Sequence, residues 1–152
     1  MGLDMYLKGR KYLNTYDEKN RSQVESVQQN FPELANFRGG DPVIKEVEIE
    51  AGYWRKANHI HDWFVRNVQN NQDDCNSYPV SRGQLVELQQ ICERVLGFRH
   101  LANELLPRKS GFFFGNIQYD DDYFWDIENT IDICQEVLSL PQEWRFEYQS
   151  SW

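Results

Sequence analysis

Two clusters that combine cations with aromatic rings hold most of the chemistry in this sequence. The segment Gly52-Tyr53-Trp54-Arg55-Lys56-Ala57-Asn58-His59-Ile60-His61-Asp62-Trp63 puts Arg55 and Lys56 directly ahead of a helical apolar pattern. Read as the first turn of that helix, the two cations sit where the macrodipole disfavours them by about 0.3–1 kcal/mol each. An anion held by the free amide groups of the turn reverses that penalty. Tyr53 or Trp54 then offers a ring for stacking, the mode by which aromatic side chains hold nucleobases, and Asn58 adds a hydrogen bond. The competing reading is a solvated Arg-Lys pair beside two core aromatics. Arg108-Lys109-Ser110-Gly111, followed by Phe112-Phe113-Phe114, repeats the combination and is able to face the first cluster. Arg108, Lys109, Ser110 and Phe113 join the candidate ligand-binding set on that basis. The run is too short and too poor in glycine for a phosphate loop of the G-x-x-x-x-G-K-S/T kind.

His61 falls inside the apolar arc of its helix, between Ala57 and Phe64, whereas His59 points to the polar side, so one buried histidine is expected. A buried imidazole needs partners for its nitrogens, and a Tyr or Asp from a sheet can supply one. His61 also completes the candidate ligand set. Two residues apart on a helix, the histidines diverge by about 200° and cannot share a metal as an i, i+4 pair does. Asp73-Asp74 and Asp120-Asp121-Asp122 lack the alternating ligands and central glycine of a calcium loop, and the triple fits the start of a helix. Cys75, Cys92 and Cys134 are odd in number and show no C-x-x-C spacing, so they read as reduced thiols. No metal, no cofactor and no nucleophilic residue is expected; a hydrolase using His61 with an acidic neighbour stands as a third reading.

The elements that must position these residues follow from periodicity. Leu3, Met5 and Leu7 alternate as one face of a strand; Val43, Val47, Ile49 and Ala51 do the same after a turn at Asp41-Pro42. Gly52 breaks that alternation, and a long helix is expected from Trp54 onward through Phe64 and Val68. The stretch from Asn70 to Pro79 reads as a polar loop. Ser81 with Gln84 forms a capping box for a helix through Leu96, and Gly97 is placed to end it in the left-handed conformation. A last helix runs from the Asp120 triple to about Leu138, and Trp144, Phe146 and Tyr148 alternate as a closing strand. The aromatic run 112–114 fits either a strand or a buried loop. The fold class expected is α+β: a small antiparallel sheet of about three strands with three to four helices on one face. A single domain spans 1–152; the polar segment 14–40, with a weak helical spacing at Val24, Val27 and Phe31, is left free to be a mobile excursion.

With 16 Lys+Arg against 24 Asp+Glu, the 152-residue chain carries a formal charge of −8, which argues against general nucleic-acid binding. Five Trp, eight Tyr and nine Phe exclude disorder for most of the chain. Met1 to Arg10 lacks the pattern of a signal peptide, and no apolar run approaches the roughly 18 residues of a membrane helix, so no membrane contact and a cytoplasmic location are expected. Trp63 and Trp125 fall on the polar faces of their helices, which marks a contact with a partner, a ligand or a second copy of the chain, or else packing under segment 14–40.

Three segments, Met1-Gly-Leu-Asp-Met-Tyr-Leu7, Glu50-Ala-Gly-Tyr-Trp-Arg-Lys-Ala-Asn-His-Ile-His61 with Asp62-Trp-Phe64, and Leu105-Leu-Pro-Arg-Lys-Ser-Gly-Phe-Phe-Phe-Gly115, resemble a family of short proteins of bacteriophage and prophage genomes. The resemblance spans nearly the whole chain and implies a small protein of the host cytoplasm; it brings no activity, cofactor or catalytic residue. By analogy with small phage accessory proteins, the first expectation is a non-enzymatic protein that holds or sequesters a nucleotide-like anion in a counter-defence role. Tyr53 or Trp54 would stack, and Arg55, Lys56 and Arg108 would neutralise charge. The second is an inhibitor or mimic that occupies a host protein through its acidic surface and exposed tryptophans.

Overall fold

Met5 and Leu7 of the first strand, β1 (Asp4–Tyr12), and Leu3 directly ahead of it are fully buried, while Asp4, Tyr6 and Lys8 remain partly exposed. The computed structural model describes residues 2–34, 39 and 43–152. Further strands are β2 (Glu46–Arg55), β3 (Tyr78–Val80) and β4 (Trp144–Ser151), and the four form an antiparallel sheet in the order β2-β1-β4-β3. The fold is α+β, with one strand more than the sequence suggests. The extra strand is β3, which pairs Tyr78 with Tyr148, Pro79 with Glu147 and Val80 with Phe146. Three residues are too few for an alternation to show, and Pro79 is tolerated because β3 lies at the sheet edge.

The helices among the described residues are α1 (Glu18–Gln28), α2 (Asn58–Asn67), α3 (Arg82–Gly97), the single turn α4 (Ala102–Leu105) and α5 (Asp121–Ser139). The capping box opens α3: Gln84 N donates to Ser81 Oγ at 3.1 Å and Ser81 N donates to Gln84 Oε1 at 2.9 Å. Asp120 caps α5 by accepting from Tyr123 N at 3.1 Å, so the acidic triple does serve a helix start. Two boundaries depart from expectation. Gly97 is the last residue of α3 rather than a left-handed residue beyond it, and the helix ends through Phe98, whose N–H reaches Arg94 O. The strand β2 persists to Arg55, so Arg55 and Lys56 do not form the first turn of a helix; α2 starts at Asn58 behind Ala57. Gly52 lies inside β2. A Cβ there would stand 2.6 Å from Ile133 Cγ2, so α5 packs too closely for any side chain at that position, and Gly52 and Trp54 are the two buried residues of the strand.

The chain divides into two compact units, residues 1–9 with 50–152 and residues 10–49. The core of the larger unit gathers Leu3, Met5 and Leu7 with Trp54, Phe64, Leu85, Leu88, Ile127 and Tyr148. Phe64 and Tyr148 stack at 3.9 Å between ring centroids. Burying side chains of this size contributes roughly 1.5–3 kcal/mol each. Within the smaller unit Asp17 caps α1 by accepting from Lys19 N at 2.9 Å, Val24 is buried, and Leu13 N donates to Lys45 O at 2.8 Å. The expected turn at Asp41-Pro42 and positions 35–38 and 40 of the 14–40 segment lie outside the described residues. Among the described residues, no helix is long and apolar enough to cross a membrane.

Candidate functional site

The end of β2 turns into α2 through a residue of unusual backbone. Lys56 has φ 59°, the left-handed region that costs a side-chain-bearing residue about 1–2 kcal/mol. Its N–H donates to Leu3 O at 2.8 Å, tying the turn to the start of β1. Its aliphatic stem runs between two glycines: a Cβ on Gly2 would meet Lys56 Cε at 3.1 Å, and one on Gly115 would meet Lys56 Cβ at 3.1 Å. The long side chain is therefore channelled by its surroundings. Neither Arg55 nor Lys56 forms an ion pair or side-chain hydrogen bond among the described residues.

Arg108, on the loop between α4 and α5, is held much more firmly. Its side chain is only 5 % exposed. Its Nε donates to Gln118 O at 3.0 Å, Nη1 lies 3.4 Å from His59 Nδ1, and Nη2 lies 3.6 Å from Asp120 Oδ1. The guanidinium carbon sits 5.0 Å above the Tyr123 ring. His59 lies against the same ring, centroid to centroid 4.2 Å. Since Arg108 can only donate, His59 Nδ1 accepts and its proton belongs on Nε2. That Nε2 is buried with no partner. Burial first, and the neighbouring Arg108 second, hold His59 well below the ordinary imidazole range, so the ring is neutral.

A cavity of about 410 Å³ opens among Arg55, Lys56, Arg108, Asn116, Asp122, Trp125 and Asp126. This is within the 300–1,000 Å³ typical of small-molecule pockets. The two unpaired cations are joined there by a third whose geometry is fixed. The helix α5 supplies the opposite wall, with Asp122, Trp125 and Asp126 at i, i+3 and i+4 spacing, which puts them on one face. Trp125 is 62 % exposed, whereas Asp126 is 8 % exposed. Burial pushes the Asp126 carboxyl up to about 7; Arg108 opposes that, and Asp122 and Asp120 add to it. The position of Asp126 is fixed from behind: Trp54 Nε1 donates to Thr130 Oγ1 at 2.9 Å, and Thr130 Oγ1 donates to Asp126 O at 2.6 Å.

Of the residues expected from sequence, Arg55, Lys56 and Arg108 line this cavity. Trp54 is buried in the core, and Tyr53, on the opposite strand face, donates its hydroxyl to Asp4 Oδ1. Asn58 is fully buried and spends its amide on the loop, donating to Phe114 O at 2.8 Å and Asn116 O at 3.0 Å while accepting from Lys109 N at 2.9 Å. Its role is to fasten the 108–116 loop beside α2. Lys109 pairs with Asp62 at 2.9 Å, and Asp62 also accepts from Arg66 at 2.8 Å. Ser110 is exposed outside the cavity, and Phe113 stacks on Trp152 at 6.4 Å. The run 112–114 is a turn rather than a strand, with Phe112 exposed and Phe114 buried.

Both histidines are buried, not one: His59 is 0 % and His61 1 % exposed. The polar side of α2 is covered by the 108–120 loop, a tertiary contact that helical periodicity does not register. His61 accepts from the Tyr148 hydroxyl at Nδ1, 2.7 Å, and donates from Nε2 to Asp73 Oδ1, 3.0 Å. Burial lowers its basicity, partly offset by Asp73. His61 and its hydroxyl partner Tyr148 are both buried in the core, so neither faces the open cleft that a hydrolase using His61 needs. Trp63, expected on a polar face, is 2 % exposed and meets Phe64 edge-on at 5.3 Å; it offers no contact surface. The three cysteines are unpaired, and among the described residues no three His, Cys, Asp or Glu side chains converge as a metal-binding group.

Asn116, Asp122, Trp125 and Asp126 were not among the expected ligand residues. The i, i+3, i+4 pattern of the last three was available in the sequence, but the acids read as helix-start charge and Trp125 as an isolated contact residue. Compared with protein-family models, curated proteins and solved structures, the chain has no significant match to any of them.

Proposed function

We propose that this chain is a small binding protein that holds a nucleotide-like anion in the cavity between the end of β2, the 108–116 loop and α5. The observation that carries the reading is Lys56. A lysine occupies a left-handed position that glycine would adopt without strain, and together with Arg55 it brings an unpaired charge to a cavity already containing Arg108. Strain kept at a cavity wall is a feature of binding sites. Arg55 and Lys56 neutralise the anionic group, Arg108 orients it, and Trp125 replaces Tyr53 and Trp54 as the stacking ring. Arginine and lysine are complementary here, because the fixed guanidinium gives direction and the ammonium gives point charge.

The resemblance to phage proteins extends the reading to sequestration of a host signal nucleotide in the cytoplasm. A thermal-shift panel of linear and cyclic nucleotides with inorganic phosphate tests it. Stabilisation by at least one member, lost in Arg55→Ala and Lys56→Ala, supports the reading; no shift with any of them counts against it. The exposed Trp125 and the charge of −8 favour a second reading, capture of a host protein with a basic site. Loss of a captured partner in Trp125→Ala, with nucleotides inert, would select it.

A further inference from the structure

Asp126 is a poor residue for a site that only collects anions. A carboxylate beside three cations weakens their attraction for phosphate, yet Asp126 lines the cavity at 8 % exposure, and its carboxylate forms no hydrogen bond among the described residues. The Asp126 oxygens are not among the buried atoms left without a partner, so they keep solvent contact and stand in the cavity as open acceptors. The helix positions it beside Trp125, the only aromatic ring among the cavity residues, and the Trp54–Thr130–Asp126 hydrogen-bond chain keeps that part of α5 fixed against β2.

We infer that the cavity discriminates among nucleotides by the base, and takes guanine in preference to adenine through Asp126. This rests on the reading of the site as a nucleotide pocket and gives it a substrate class. An ionised carboxylate only accepts hydrogen bonds. Guanine presents two adjacent donors, N1–H and the N2 amino group, which match the two carboxylate oxygens. Adenine presents one donor beside the N1 lone pair, and that lone pair faces the second carboxylate oxygen repulsively. Hypoxanthine keeps N1–H and lacks the amino group, so it falls between the two. Trp125 stacks on any of these rings and does not discriminate; the cations hold the phosphate and do not discriminate either.

The charged groups around Asp126 are Arg108 from the loop, Arg55 and Lys56 from the end of β2, and Asp120 and Asp122 from its own helix. Its carboxyl titrates near neutrality. Acidification converts one acceptor oxygen to a donor, which suits the adenine edge, so preference for guanine weakens below about pH 7 and is fullest above it.

The test is calorimetric titration of guanosine, inosine and adenosine monophosphates and of inorganic phosphate into wild type and Asp126→Asn at about pH 8. Two well-placed hydrogen bonds to a base edge give about tenfold discrimination or more. The expected order for wild type is guanosine, then inosine, then adenosine, with guanosine at least about tenfold tighter than adenosine. Asp126→Asn, with one donor and one acceptor, is expected to lose that gap while binding inorganic phosphate at least as tightly as wild type. The inosine comparison within wild type keeps the test independent of whether the variant folds. Equal affinity for guanosine and adenosine, or a gap that survives in Asp126→Asn, overturns the inference. Binding of phosphate without nucleotide preference removes base selection and leaves the anion site; absence of all binding removes both.

Discussion

Lys56 and Gly115 face each other with left-handed backbones, φ 59° and 83°, and a Cβ on the glycine would stand 3.1 Å from that of the lysine. Each conformation constrains the other. Gly115→Ala is expected to lose about 1–2 kcal/mol from backbone strain, together with displacement of the lysine. Lys56→Gly relieves its own strain, so its unfolding midpoint in urea should equal or exceed that of wild type while nucleotide stabilisation disappears. A variant that loses stability and ligand response in parallel would mean that Lys56 serves the fold alone.

Gly52 sets the approach of α5 to β2, and hence the distance between the cations and Trp125. Gly52→Ala forces a Cβ to within 2.6 Å of Ile133 Cγ2. Overpacking of this kind typically costs about 1–3 kcal/mol. Chemical denaturation should show that loss, and trimming the opposing side chain with Ile133→Ala in the same chain should recover part of it. Independent, additive losses in the double variant would refute the contact.

The stability of the molecule should respond to pH in two opposed ways. Burial holds His59 and His61 neutral below their ordinary value of 6.5. The unfolded chain binds these protons more readily, so stability falls as pH drops through 6.5. Asp126 has the opposite sign. Folding raises its carboxyl from 3.8 to about 7, so its contribution is complete below 3.8 and is lost as pH rises through 7. Asp126→Asn should therefore gain on wild type between about pH 4 and pH 8, by at most about 4 kcal/mol for a shift of that size.

His59→Phe keeps the stacking on Tyr123 and removes the unpartnered Nε2. The variant also takes the Nδ1 acceptor from Arg108 at every pH, so the expected result is a urea midpoint that improves relative to wild type as pH falls toward about 5, where the buried imidazole is most costly. Parallel pH profiles for the two proteins would show that His59 is not held neutral by burial.

The strands and helices were legible where one face alone is buried. Leu3, Met5 and Leu7, and again Phe146 and Tyr148, declare their strands by alternation, and Ser81 with Gln84 declares the start of α3. What escaped were features decided by tertiary contact. The 108–120 loop reaches Asn58, His59 and Asp62 on α2, so His59 is buried against the helical pattern; Trp63 is buried as well, against Phe64. β2 runs on through Gly52 to Arg55 and α2 starts only at Asn58, so Arg55 and Lys56 lie outside the helix that periodicity begins at Trp54. Arg55 ends a strand and Lys56 lies in the turn after it, so no helix macrodipole opposes the two cations, and both line the cavity beside Arg108. Asp126 escaped because its neighbours Asp120 to Asp122 gave acidic residues a sufficient local reason.

The most direct measurement is calorimetric titration of guanosine monophosphate into wild type and Lys56→Gly at low salt. A heat of binding in wild type, with affinity at least about tenfold lower in the folded variant, is the predicted result; Coulomb attraction at short range in a partly dry cavity is of that order. Equal affinities, or no heat in either protein, would contradict a nucleotide site built on the left-handed lysine.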